Sequence, residues 1–157
     1  MNKLSPQVKG IWAINSVLST VIFLVLVVVA EIFLKSAIRE NLGFPFGVLT
    51  IVVLIAGIIY SMAFPILNYK YWAFDVRDDE LYIERGILTR VKTTAPYRRI
   101  QHLDVSQSIF ERMMGLATLV VYTAGTRGAD LVIPGLVLPY AEALRDSLKN
   151  ITTEDAV

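Results

Sequence analysis

The order of apolar and polar positions divides the chain into two textures. Gly10 to Ala30 contains no charged residue, and Asn41 to Asn68 again contains none. A helix over 11–30, rising about 1.5 Å per residue, covers the roughly 30 Å hydrocarbon core of a bilayer, and the run Phe46 to Leu67 is long enough to do the same. Between them Glu31, Lys35, Arg39 and Glu40 lead into Asn41, Leu42, Gly43 and Pro45, which stop helices and form turns. Residues 1–69 therefore read as an N-terminal segment and a two-helix transmembrane hairpin, with spans near 11–30 and 46–67. A signal peptide is the competing reading of the first run. Its apolar stretch is too long for one, and no small-x-small cleavage site precedes a polar region.

From Tyr71 onward the runs shorten and fill with Val, Ile, Leu, Tyr and Thr, separated by charged or glycine-containing turns. This is the pattern of a small β-rich domain. Strands are expected over Tyr71–Val76 and Glu80–Leu88, across Lys92–Gln107 with an interruption at Pro96, over Leu116–Thr123, and over Asp130–Ile133 before Pro134 and Gly135 end the pairing. Gly86 marks a bulge or a close approach. Ser108 and Glu111 have capping-box spacing, which predicts a short helix to Met114 with Gly115 as its stop. Pro139 suits the first position of a last helix, where Ala141, Leu144, Leu148 and Ile151 form an apolar stripe opposite Glu142, Arg145, Asp146 and Lys149. The domain is expected to occupy 70–151, with 152–157 a frayed tail.

Composition narrows the classes of function. Of 157 residues 55% are apolar and 18% charged, which excludes a soluble cytosolic enzyme and a disordered chain; with no cysteine a disulfide-stapled module is excluded too. The net charge of +1 gives no reason to expect nucleic acid. Lys3, Lys9, Lys70, Arg77 and Arg85 flank the outer ends of the spans, against Lys35 and Arg39 in the connecting loop. That bias places both termini in the cytoplasm and the chain in the cell membrane. Trp12, Tyr60, Tyr69, Tyr71 and Trp72 are expected as anchoring rings at headgroup level.

The stretch Asp78-Asp79-Glu80-Leu81, then Arg85-Gly86-Ile87-Leu88, then Pro96 through Gln107 resembles bacterial pleckstrin-homology (PH)-like proteins of the YdbS type. So do Phe110 through Leu119 and Tyr122-Thr123-Ala124-Gly125. The resemblance covers the soluble part, and the two-helix layout fits it. Added to the fold class read from the pattern, a membrane α-helical hairpin plus a β-rich domain, it implies a PH-like split β-barrel capped by a C-terminal helix. Gln101, Gly115 and Gly125 belong to the shared motifs and are expected to be structural.

Candidate chemistry is sparse. Arg85, Arg90, Lys92, Arg98 and Arg99 follow one another with no acid between them, after Asp75, Asp78, Asp79, Glu80 and Glu84. They form either a patch for anionic lipid headgroups or a partner, or one half of cross-strand pairs with the neighbouring acids. Arg99 or Gln101 is expected to anchor the turn before the capped helix. His102, Asp104 and Ser106 share one strand face but lack an oxyanion hole, so catalysis is not expected. A single histidine without cysteine makes a poor metal site. Gly125 to Gly128 lacks the spacing and lysine of a phosphate loop and reads as a hairpin turn. The chain is therefore expected to be a non-catalytic module without cofactor, assembling proteins at the cytoplasmic membrane face. Its expected partners are lipids and a protein: a second copy or a related PH-like membrane protein. Recognition of anionic headgroups by the basic strands is the alternative.

Overall fold

The computed structural model describes residues 2–34, 45, 47–124 and 131–154. The chain divides into two compact units, Met1–Ile11 with Leu67–Val157, and Trp12–Ile66.

Helices α1 (Val8–Phe33) and α2 (Val48–Lys70) are both long and apolar enough to cross a membrane. Their uncharged runs carry side chains such as Phe23, Leu26 and Met62 at 58–69% exposure, a surface that hydrocarbon rather than water accommodates. Within the helical unit, the Thr20 and Ser61 hydroxyls lie 3.4 Å apart, and a Cβ on Gly57 would sit 2.2 Å from the Thr20 methyl. A residue without a side chain is what lets the two helices meet there. Glu31, which follows the first uncharged run, lies in the last turn of α1, is buried, and accepts a hydrogen bond from the Thr50 hydroxyl at 2.8 Å. Lys35, four residues further on, lies outside the described residues.

The other unit holds two three-stranded antiparallel sheets. The first is ordered β1 (Ala73–Val76), β2 (Glu80–Arg85), β3 (Val91–Pro96); the second is ordered β4 (Ile100–Ser106), β5 (Leu116–Thr123), β6 (Leu131–Val137). A five-residue helix α3 (Ile109–Met113) joins β4 to β5, and α4 (Leu138–Glu154) follows β6. Pattern explains the burial: Leu81 and Ile83 alternate inward on β2, as do Leu119 and Val121 on β5, and α4 turns Ala141, Leu144 and Leu148 away from water. α4 packs on all three strands of the second sheet.

The expected split β-barrel is not present, because neither sheet closes. The reason lies at two seams. Pro96 ends β3 and opens a 3₁₀ turn, Tyr97–Arg99, which carries the chain into the other sheet, so consecutive β3 and β4 are not partners. At the other seam an N-terminal arm takes up backbone groups that a closing strand would use. Asn2 exchanges hydrogen bonds with Phe74 of β1 (2.6 and 3.2 Å), and the Ser5 N–H donates to the Gly135 carbonyl of β6 (3.0 Å). Leu4 and Val8 of the same arm are buried. The fold is an α-helical pair with a mixed α/β region of two open antiparallel sheets.

Two local expectations also change. β6 does not end at Pro134 but continues to Val137, because two residues, Pro134 and Gly135, stand opposite the single Thr118 of β5 and form a bulge. Trp72 is no headgroup anchor: it is buried, with its ring edge toward Phe74 at 6.3 Å.

Candidate functional site

β4 is an edge strand. One side pairs with β5, and among the described residues no strand pairs with the other. Beside that edge runs a groove lined by Ile100, Gln101, His102 and Leu103 of β4 and by Arg145, Asp146, Lys149 and Thr152 of α4. Its volume is about 590 Å³. The local geometry follows from a bulge: Ile100 stands opposite Thr123 and His102 opposite Tyr122, leaving Gln101 as the extra residue. The bulge lets Ile100 and Leu103, three apart, share the inward face, while Gln101 is exposed at the rim. An unpaired strand edge offers backbone donors and acceptors to an extended chain, and the helix beside it offers charged side chains to read that chain.

Around this groove the polar groups are mostly engaged. His102 Nε2 lies 2.6 Å from Asp104 Oδ1, and its ring packs against Tyr122 at 5.8 Å. Both partners of this contact are open to solvent, so it forms no enclosed reaction site. Arg145 contacts Asp146 at 2.8 Å. α3 is held as its sequence predicts. The Ser108 Oγ accepts from the Glu111 N–H (3.3 Å), while Glu111 accepts from the Ser108 N–H (2.8 Å) and from the Thr118 hydroxyl (2.5 Å). The turn anchor expected from Arg99 or Gln101 is instead Gln107, whose amide donates to the Leu116 carbonyl at 2.5 Å. Arg99 donates to the Ala124 carbonyl at 3.0 Å, tying the 3₁₀ turn to the end of β5. Gly115 adopts φ +65 behind α3, and Gly125 lies outside the described residues. Ile109 and Met113 of α3 are about four-fifths exposed.

The five cations, expected either as a patch or as partners of the neighbouring acids, do not share one face. Strand alternation puts Arg85 on the same side of the first sheet as Leu81 and Ile83, whereas Lys92, opposite Glu84, projects from the other side with Tyr82. Arg90 lies beyond β2 with its guanidinium 5.8 Å from the Tyr71 ring. Arg98 borders a small hollow with Asp79, Glu80 and Pro96. The face with Lys92 is also acidic: Arg77 stacks on Tyr82 at 4.3 Å and contacts both Asp75 and Glu80. Tyr97, fully buried beneath this turn, donates its phenol to the Arg77 carbonyl at 2.5 Å. Burial pushes its pKa up, and the nearby Asp79, Asp78 and Glu80 push it further.

Sequence reading missed the groove because its two walls come from segments about forty residues apart. Arg145, Asp146 and Lys149 were legible as the polar face of a helix, but nothing in the spacing says that β4 lies beside that face.

Comparison with known proteins matches the sequence to a family. The profile described as bacterial PH domain matches residues 16–152. Over 161 aligned residues the chain is 28% identical to the UPF0699 transmembrane protein YdbS of Bacillus subtilis (strain 168), covering 99% of this chain and 96% of that protein. It is 29% identical over 80 residues to the UPF0699 transmembrane protein YdbT of the same organism, covering 51% of this chain and 16% of that protein. No solved structure matches. The match takes in both the apolar helices and the two sheets, and the chain belongs to the bacterial PH domain family as a membrane-associated, non-enzymatic module for protein or lipid interaction.

Proposed function

We propose that the chain is a membrane-anchored assembly module in which the groove between β4 and α4 receives an extended segment of a partner protein as an added strand. The observation that carries this reading is the unpaired edge of β4 set against a helix whose Arg145 and Lys149 line the same groove. Backbone pairing along the edge supplies affinity, and the helix side chains select an acidic or polar segment. The partner is a second copy or a related PH-like membrane protein. YdbT supports the latter, since the similarity covers a limited part of a much longer protein. The charge bias of five cations against two supports cytoplasmic termini in the cell membrane, with residues 70–151 as the exposed domain. Two spans confine module and partner to one surface, which raises their effective concentration without any new contact.

A photo-crosslinking residue placed at the exposed Gln101 of the full chain in native membranes tests this. An adduct with a second copy or a larger PH-like protein, weakened by Arg145→Glu with Lys149→Glu, is the expected result. Recovery of an uncrosslinked monomer, with the same yield as a crosslinker placed at Thr94, overturns it.

A further inference from the structure

We propose that the loop between β2 and β3 is a membrane wedge: Leu88 enters the boundary between headgroups and acyl chains, and Arg85 and Arg90 contact lipid phosphates on either side. Leu88 is 98% exposed, the most exposed large apolar side chain among the described residues, although it stands at the tip of a well-formed hairpin. The tip is built to a fixed shape. Gly86 adopts φ +114, and a Cβ there would fall 1.9 Å from the Thr89 carbonyl oxygen, so the backbone doubles back tightly and holds Leu88 outward.

The loop's position identifies the apolar medium. Arg90 lies 5.8 Å from the Tyr71 ring, and Lys70, the last residue of α2, places its ammonium 5.6 Å from the same ring. Tyr71 therefore links the wedge to the end of a helix long and apolar enough to span. Aromatic and basic residues at such an end lie at headgroup level. The charge fits a lipid surface as well, because Arg85 to Arg99 contains no acid and Arg85 and Arg90 are both exposed. A protein partner for this tip has no comparable support, since Leu88 lies outside the groove at β4 and α4. Insertion would fix the sheet-bearing unit at a set height on the bilayer, a property separate from partner binding in the groove.

The chain has no cysteine, so Leu88→Cys creates a unique labelling site at a position outside the core. The full chain carrying an environment-sensitive fluorophore there is reconstituted in phosphatidylglycerol vesicles, with Thr94→Cys, exposed on β3, as reference. The expected result is a blue-shifted label at 88, quenched several-fold more by shallow spin-labelled lipid than the label at 94, with the difference reduced by Arg85→Ala with Arg90→Ala. Equal accessibility of both labels to an aqueous quencher overturns the proposal. Shielding of position 88 from aqueous and lipid quenchers alike also overturns it, since a protein then covers the tip. Unchanged insertion in the double arginine variant overturns the phosphate contacts.

Discussion

Tyr97 shows how one side chain joins a break in the sheet to the acidic turn beside it. Its ring is fully buried, its N–H reaches the Asp79 carbonyl at 3.1 Å, and its phenol holds the Arg77 carbonyl. Tyr97→Phe leaves that carbonyl without the phenol and should cost about 0.5–1.5 kcal/mol at neutral pH. The pH dependence has a defined sign. The folded-state pKa is raised above the ordinary 10.0, so the unfolded chain ionises first. The contribution is complete below that ordinary value and is lost as pH rises through the folded-state value. Thermal unfolding of the full chain in detergent should therefore show the variant less stable at neutral pH but with a shallower loss in strong alkali. Parallel curves for the two proteins would remove Tyr97 as the source of the alkaline loss. The sequence shows that Pro96 interrupts a strand, but not that the next tyrosine is buried, because burial depends on a turn twenty residues earlier in the chain.

At the scale of elements, periodicity locates both long helices, the capped helix and most strands, since each is specified by neighbours within a turn or a pleat. It misplaces the end of β6 because proline and glycine usually stop a ladder, whereas here they form a bulge. Gly135 adopts φ +64, and a Cβ on it would approach the Val8 side chain to 2.3 Å. Gly135→Ala should cost about 1–2 kcal/mol for the left-handed backbone and about 1–3 kcal/mol more for overpacking against Val8. Adding Val8→Gly, which removes both the Cγ2 2.3 Å and the Cβ 2.4 Å from the added methyl, should restore the steric part and leave the backbone part, giving a double-mutant coupling that denaturant titration in detergent measures. Strict additivity would mean that the two residues do not touch. The groove was illegible for a different reason: periodicity identifies the polar face of α4, but the strand it lies beside is a long-range fact.

The whole molecule depends on a segment that sequence texture assigns to the membrane flank. Residues before α1 look like a basic lead-in to a span, yet Leu4 and Val8 are 2% and 1% exposed, and their segment packs in the same unit as both sheets. The Tyr69 phenol donates to the Leu4 carbonyl at 3.1 Å, and the Lys3 ammonium donates to the Lys70 carbonyl at the same distance. This arm joins the start of one long helix, the end of the other and two open sheets, which is why a barrel seam is unnecessary for burying the core. Leu4→Ala should then destabilise the sheets, far along the chain, by about 2–5 kcal/mol, the range for emptying a buried leucine site. Hydrogen exchange on the full chain in lipid reads the location directly. Faster exchange is expected at Phe74, whose amide donates to the Asn2 carbonyl, and in the neighbouring strands, while amides in the middle of α1 stay protected. Unchanged exchange at β1 would reduce the arm to a tether; faster exchange there makes it part of the sheet-bearing fold, which a fragment beginning at residue 70 would lack.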